Sequence, residues 1–313
     1  MGRRMPNTFL ARLPLSRYEV DRDYLTRDSD DAIARLLADP ATRLLPIFQG
    51  TALLSGATAL ALVPVSAVPP AELYVYLGRS LSTTSPEPVG TPVVAAVLTD
   101  AGHLAEADWG NLRQLGSRLS DRDAGLFTEA LGIVNWHASH GFSPRTGVAT
   151  IPGKAGWVRV DPTNGREVFP RTDAAIIVGI TDSRDRLLLG SNALWESNRF
   201  SLLAGFVEPG ESLEAAVVRE VFEESGLNVI DPVYLGSQPW PFPASLMLGF
   251  TARLDPAIES TLTPDGHEIL ELRWFTRDEL REALSDILLP GPTSIARSII
   301  ERWYGETIDD GSA

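Results

Sequence analysis

Cysteine is absent from the 313-residue chain, which rules out disulfides and any cysteine-ligated zinc site. Long apolar runs are missing too. No stretch approaches the roughly 20 apolar residues of a membrane helix. The start, MGRRMPNTFLARLPLSR, carries basic residues but no apolar run of signal-peptide length. These two absences predict a soluble, cytoplasmic protein with no membrane partner. Positive charge is scarce: 27 Lys and Arg face 41 Asp and Glu, for a formal net charge of -14. That balance argues against a broad basic surface for nucleic acid but leaves room for a small anion held through metal ions. What remains is ordinary globular composition, 44% hydrophobic and 22% charged, in a chain long enough for about two domains.

The most informative stretch runs from Gly205 to Leu227, GFVEPGESLEAAVVREVFEESGL. Glu220, Glu223 and Glu224 stand at i, i+3 and i+4, so a helix gathers them on one face. Like charges at that spacing disfavour a helix by a few tenths of a kcal/mol per pair, about 0.2–0.5. A positive partner offsets that cost, and hard divalent cations with oxygen ligands fit best. Ser212 is a fair N-cap and Gly226 suits the C-terminal turn. Val217, Val218, Val221 and Phe222 are expected to pack on a sheet.

Upstream, residues 1 to about 30 read as irregular, and Asp31–Ala38 as a helix. The runs 52–54, 60–65, 73–77 and 93–98 read as strands between Pro, Gly and Ser. Residues 1–125 are expected to form a mostly β assembly or dimerisation module with no clustered chemistry, and no internal repeat is visible. Asp108–Asn135 reads as one helix with Leu112, Leu115, Leu119, Phe127, Leu131 and Val134 as its apolar stripe. Downstream, 174–180 is a buried strand, 186–190 its return, and 234–235, 246–254 and 270–275 are further strands. Residues 277–284 and 294–304 read as helices. The sum is an α/β/α sandwich with a mixed sheet, in an α+β chain.

Two further motifs stand out. His137 and His140 share a spacing with Asp161 and Asn164, a pattern that invites a metal reading, although Asn is a poor zinc ligand. Otherwise packing and hydrogen bonds hold the segment, with Trp136, Phe142 and Trp157 supplying apolar area. Ser237–Ser245 reads SQPWPFPAS, a stiff, extended segment that either offers flat rings to a base or fills a core or dimer contact.

The Gly205–Leu227 stretch resembles the Nudix box at every fixed position: Gly205, Glu211, Arg219, Glu220, Val221, Glu223, Glu224, Gly226 and Leu227. With SQPWPFPAS downstream, it resembles the NADH pyrophosphatase branch of the Nudix hydrolases. The resemblance implies a 171–304 Nudix domain, a degenerate zinc ribbon with its linker helix over 126–170, and a tail at 305–313. Here His137, His140, Asp161 and Asn164 replace the ribbon's four cysteines, so structural zinc is not expected. The resemblance also implies that Glu220, Glu223, Glu224, Glu268 and the Ala204 carbonyl bind roughly two or three Mg²⁺ or Mn²⁺ ions. Glu271 is a neighbour easily confused with Glu268. Arg219 aims a glutamate or forms a plain surface pair with Glu223. Substrate contacts carry over to Phe169, Phe206, Gln238, Pro239, Trp240, Pro241, Phe242, Pro243, Ala244, Ser245 and Ala296. The implied reaction splits the diphosphate of NADH or NAD⁺ into AMP and nicotinamide mononucleotide, in a homodimer. NAD-capped RNA is an alternative substrate. Two other readings stay open: a broader hydrolase of compounds such as ADP-ribose, and a non-catalytic dinucleotide sensor.

Overall fold

The computed structural model describes Phe9, residues 13–196 and residues 198–309. The irregular start and the tail expected from sequence therefore lie partly outside the described residues. The described residues divide into two compact units, one formed by 15–172 with 240–244, the other by the remaining described residues.

The first unit opens with β1 (Val20–Asp21), α1 (Tyr24–Arg27) and α2 (Ala32–Ala38). Then come β2 (Arg43–Phe48), β3 (Thr51–Leu53), β4 (Val63–Pro64), β5 (Leu73–Ser80), β6 (Pro92–Leu98) and β7 (Trp109–Gly110). They form one sheet in the order β1-β5-β6-β2-β3-β7, with β4 paired to β2. Strand alternation feeds two cores. Leu45, Ile47, Val75 and Ala95 pack on one face, Leu44, Tyr76, Val94 and Ala96 on the other with Ala32 and Leu36 of α2.

The single helix expected over 108–135 is broken in two, α3 (Leu112–Leu115) and α4 (Asp121–Ser139). Asn111 and Ser120 each cap a new N-terminus with a side-chain oxygen, which is why the chain restarts there. The apolar stripe survives the break: Leu112, Leu115, Leu119, Phe127 and Leu131 are all in the core. The unit ends in a small sheet of β8 (Ile151–Gly153), β9 (Val158–Val160) and β10 (Glu167–Val168), in the order β10-β9-β8.

The second unit contains β11 (Asp173–Thr181), β12 (Leu187–Asn192), β13 (Leu203–Phe206), α5 (Leu213–Ser225), β14 (Val229–Trp240), β15 (Ser245–Leu254), β16 (Ile269–Phe275), α6 (Arg277–Ala283) and α7 (Ile295–Tyr304). The sheet order is β14-β15-β11-β12-β16, with β13 paired to β11. β11 runs parallel to β15 and antiparallel to β12 and β13. Its unbroken apolar run is buried on both faces. Ile176, Val178 and Ile180 meet Val217 and Val221 of α5, while Ile177 joins Ile295, Ile299 and Ile300 of α7. This is the mixed-sheet α/β/α sandwich read from the sequence. β14 is much longer than the strand read at 234–235 and carries SQPW to the start of a four-residue turn. None of the described helices is long and apolar enough to cross a membrane.

No repeat is visible in the sequence, yet the strand pairing recurs. In each unit a central strand (β2, β11) pairs antiparallel with the next strand (β3, β12) and with the one after (β4, β13). Each runs parallel to a later strand (β6, β15), which in turn pairs with the strand before it (β5, β14). In both, the last strand (β7, β16) pairs antiparallel with the first return strand. The first copy has β1 as an extra edge strand, and the two differ at a crossover. Between β13 and β14 lies α5; between β4 and β5 lies only a short 3₁₀ turn at Val65–Ala67. Without the helix there is no shared sequence pattern there to read.

Candidate active site

Ser212 accepts a hydrogen bond from the Ala215 N–H at 3.2 Å and starts α5; Gly226, at φ 69°, ends it in the left-handed conformation. Val217 and Val221, one turn apart, are fully buried, but Val218 and Phe222 sit about 100° further round and are not, Phe222 being 54% exposed. The expectation that all four pack on the sheet is thus half right.

That rotation sends Glu224 inward. Its side chain is buried, and its Oε2 has no hydrogen-bond partner. Burial pushes its carboxyl up to about 8, and the charges of Glu268, Glu220 and Asp265 add to the effect; a hydrogen bond from the Ala204 backbone partly offsets it. Glu220 is also raised, by burial first and then by Glu223 and Glu268. Its carboxylate lies directly over Gly205, where an added Cβ would collide with it. The box glycine is required by this close approach.

Arg219 organises the cluster. Its Nε and Nη2 donate to the two oxygens of Glu211 at 2.8 and 2.9 Å, and Nη2 also donates to the Phe206 carbonyl at 2.9 Å. Its Nη1 lies 2.8 Å from Glu220 and 2.9 Å from Glu223. The guanidinium holds Glu211 below its ordinary carboxylate range. Arg219 thus pairs with Glu211, Glu220 and Glu223 at once, which is more than the single surface pair with Glu223.

Glu268 bears on Glu224 and Glu220, whereas Glu271 is paired with Arg273 at 2.5 Å. Sequence reasoning missed what holds Glu268. Asp265 Oδ1 accepts from the backbone N–H groups of His267, Glu268 and Ile269 at 3.1, 3.1 and 2.8 Å. The Ala193 N–H donates to the Glu268 carbonyl at 2.8 Å. The Asp-Gly pair in TPDGHE was the available signal, since Asp commonly closes a turn on its own backbone.

Among the described residues no three acidic or imidazole groups converge tightly enough to enclose an ion as they stand. The donor chemistry nevertheless suits a hard cation. The set is all oxygen, one buried carboxylate oxygen is unpartnered, and acids raise one another.

The other candidates are scattered. Phe206 ends β13 and Phe169 follows β10; both are largely exposed, each in its own unit. Gln238 is fully buried, its Nε2 donating to the Thr293 carbonyl at 3.0 Å. Ala296 is buried in the first turn of α7. Pro239 ends the stretch of β14 in the second unit, and Ser245 opens β15. Trp240, Pro241, Phe242, Pro243 and Ala244 belong to the first unit. There Trp240 and Phe242 pack on the core, Arg113 lies over both rings at 5.1 and 4.0 Å, and Asn135 donates to the Pro241 carbonyl at 2.9 Å.

In the ribbon, His137 Nε2 donates to the Gly156 carbonyl at 2.7 Å and Nδ1 accepts from Arg159 at 2.9 Å, so both ring nitrogens are engaged. Burial lowers its affinity for a further proton. Asp161 accepts from Thr146 at 2.6 Å, Thr163 at 2.6 Å and Asn164 at 3.1 Å. His140 Nδ1 lies 2.9 Å from Ser139 Oγ. Trp136 is buried and Trp157 donates to the Tyr76 carbonyl, but Phe142, expected to pack, is exposed, in an isolated antiparallel bridge with Ala149.

Comparison with known proteins agrees with this architecture. The NUDIX domain profile matches residues 170–292, and that of the NADH pyrophosphatase-like rudimentary NUDIX domain matches residues 41–136. The second match covers the helix-poor copy of the repeat. The NAD-capped RNA hydrolase NudC of Mycobacterium bovis (strain BCG / Pasteur 1173P2) is 43% identical, across 92% of this chain and 94% of that protein. The NAD-capped RNA hydrolase NUDT12 of Homo sapiens is 34% identical over 59% of this chain and 43% of that one. A NUDIX hydrolase structure from Nitrosomonas europaea superposes with a TM-score of 0.41 at 22% identity, covering 53% of this chain and 94% of that one. The chain belongs to the NADH pyrophosphatase-like Nudix hydrolases.

Proposed function

We propose that the protein hydrolyses the diphosphate of NADH and NAD⁺ to AMP and nicotinamide mononucleotide, and the same bond in 5′ NAD-capped RNA. The carrying observation is the buried Glu224 carboxylate, one oxygen of which has no partner, beside Glu220 and Glu268. A carboxyl in that environment is costly unless a cation meets it. Glu220, Glu223, Glu224, Glu268 and the Ala204 carbonyl would hold Mg²⁺ or Mn²⁺, roughly two or three ions per site. Bound there, the metal supplies charge neutralisation of the diphosphate and a more acidic water.

The chain's own residues do the rest. Arg219 fixes Glu211 and so the loop that follows β13, and it keeps Glu220 and Glu223 aimed. Glu223 is the first candidate for general base and Glu268 the second, both being exposed carboxylates on the rim of the cluster. Exposed Phe206, at the end of β13 beside the acids, is suited to stack on a ring of the dinucleotide, and stacking is worth about 1–3 kcal/mol per base. Trp240 and Phe242 act by shaping the turn that carries them. The ribbon is held by its hydrogen bonds without zinc. We infer a cytoplasmic homodimer. The test is a chromatographic product assay with NADH, NAD⁺, ADP-ribose and NAD-capped RNA, with and without divalent metal. Preferential cleavage of ADP-ribose, or dinucleotide bound but left intact with metal present, would reject the proposal.

A further inference from the structure

We infer that the ribbon carries a subsite for the phosphodiester chain of a nucleic acid, formed by Arg145 and Arg166 around an open cavity beside Phe169. The inference rests on the capped-RNA part of the function proposed above. The cavity, about 420 Å³, is lined by Arg145, Arg166, Glu167 and Phe169. Its charge runs against the chain. The whole protein is at -14, yet residues 137–172 hold Arg145, Lys154, Arg159, Arg166 and Arg171 against only Asp161 and Glu167.

Two of those bases are uncommitted. Arg159 is spent on Thr150 and His137. Arg145 and Arg166 are exposed and have no ion pair, side-chain hydrogen bond or ring contact among the described residues. Glu167, the one acid in the lining, is answered by Lys154 at 3.2 Å. The cavity therefore offers two open guanidinium forks and an aromatic face. A fork matches phosphate oxygens two at a time, and an aromatic face takes any base.

The two arginines are also held at fixed spacing. Arg145 lies in the turn closed by the Gly147 N–H on the Ser143 carbonyl, and Arg166 follows the turn closed by the Gly165 N–H on the Asp161 carbonyl. Asp161 ties one turn to the other, since its carboxylate takes Thr146, next to Arg145, together with Thr163 and Asn164 of the second turn. A free dinucleotide ends at its own two nucleosides. A capped RNA continues into phosphodiesters, and those are the anions this cavity fits.

The experiment compares wild type with Arg145→Gln, Arg166→Gln, the double variant and the double Lys replacement. Substrates are NADH and a short 5′ NAD-capped RNA over a KCl series. The double Gln variant should lose about tenfold in kcat/KM on capped RNA, with the slope against log salt shallower by about 1.4, roughly 0.7 per lost single-strand contact. NADH kinetics should stay within about twofold, and the double Lys form should recover most of the loss, since lysine keeps the charge. Equal losses on both substrates would assign the cavity to the dinucleotide and overturn the inference, as would unchanged capped-RNA kinetics. If wild type splits NADH but leaves capped RNA intact, the capped-RNA reading fails on its own account. Fluorescence anisotropy with an uncapped 5′-monophosphate RNA then decides the subsite: weaker binding by the double Gln variant sustains it, and equal binding overturns it.

Discussion

Arg219 grips Glu211 through two parallel hydrogen bonds, Nε to Oε1 at 2.8 Å and Nη2 to Oε2 at 2.9 Å, eight residues apart in sequence. A planar fork is needed for that geometry, and an ammonium cannot reproduce it. We expect Arg219→Lys to lower kcat about 10- to 100-fold, the usual scale for a residue that aims metal-binding groups. Its melting temperature should change little. Full kcat in the Lys variant would leave Arg219 as a surface pair.

Glu224→Gln should remove activity by about 10³-fold or more, given the several kcal/mol a bound metal supplies. Mn²⁺ is expected to raise the melting temperature of wild type and not that of the Gln variant, since a ligand stabilises only a protein that binds it. A Mn²⁺-induced shift equal to wild type would remove Glu224 from the metal site.

Asp265→Ala should slow turnover while leaving NADH KM near wild type, because the carboxylate's hydrogen bonds go to the backbone that carries Glu268. A loss of about tenfold in kcat is expected. Asp265→Asn, which retains one acceptor oxygen, should recover part of it. A change confined to KM would contradict the assignment.

The helix face can be checked by stability alone. Val221→Ala should cost about 1–3 kcal/mol in urea unfolding, as a buried large-to-small change does. Phe222→Ala, on the exposed flank, should stay within about 0.5 kcal/mol. Equal costs would mean that Phe222 is covered.

Glu129 gives a pH test away from the acidic cluster. It is buried on α4, with Arg22 3.7 Å from one oxygen and the other unpartnered. Burial pushes its carboxyl from 4.5 up to about 7. The folded group keeps its proton to higher pH than the unfolded one, so folding takes up a proton between those values. Its contribution is complete below about 4.5 and fades as pH rises through about 7. Wild type should therefore lose roughly 2 kcal/mol relative to Glu129→Gln between pH 5.5 and 8. Parallel pH profiles would show that Glu129 titrates normally.

Much of this was legible in sequence because the signals are local. The Gly205–Leu227 spacing fixes a helix, its caps and three acids on one side, and the run 174–180 announces a strand buried on both faces. What escaped depends on angle or distance. A valine–phenylalanine pair one position round from Val217 and Val221 looks equally apolar but faces water. Asp265 acts on backbone, which leaves no mark beyond a turn. The pairing of Arg219 with Glu211 spans a loop. The repeat was hidden because what recurs is strand pairing, while the crossover that would have advertised it is missing from the first copy.

That missing crossover has a consequence for how such a protein can change. Pro64 and Leu73 are bridged by 8 residues where Phe206 and Val229 are bridged by 22, and both sheets stand. Glu211, Glu220, Glu223 and Glu224 all stand on that added length, Glu268 does not, and the strands beneath pair with or without it. A copy relieved of chemistry is free to drift towards holding, spacing or assembling, while its twin keeps the acids.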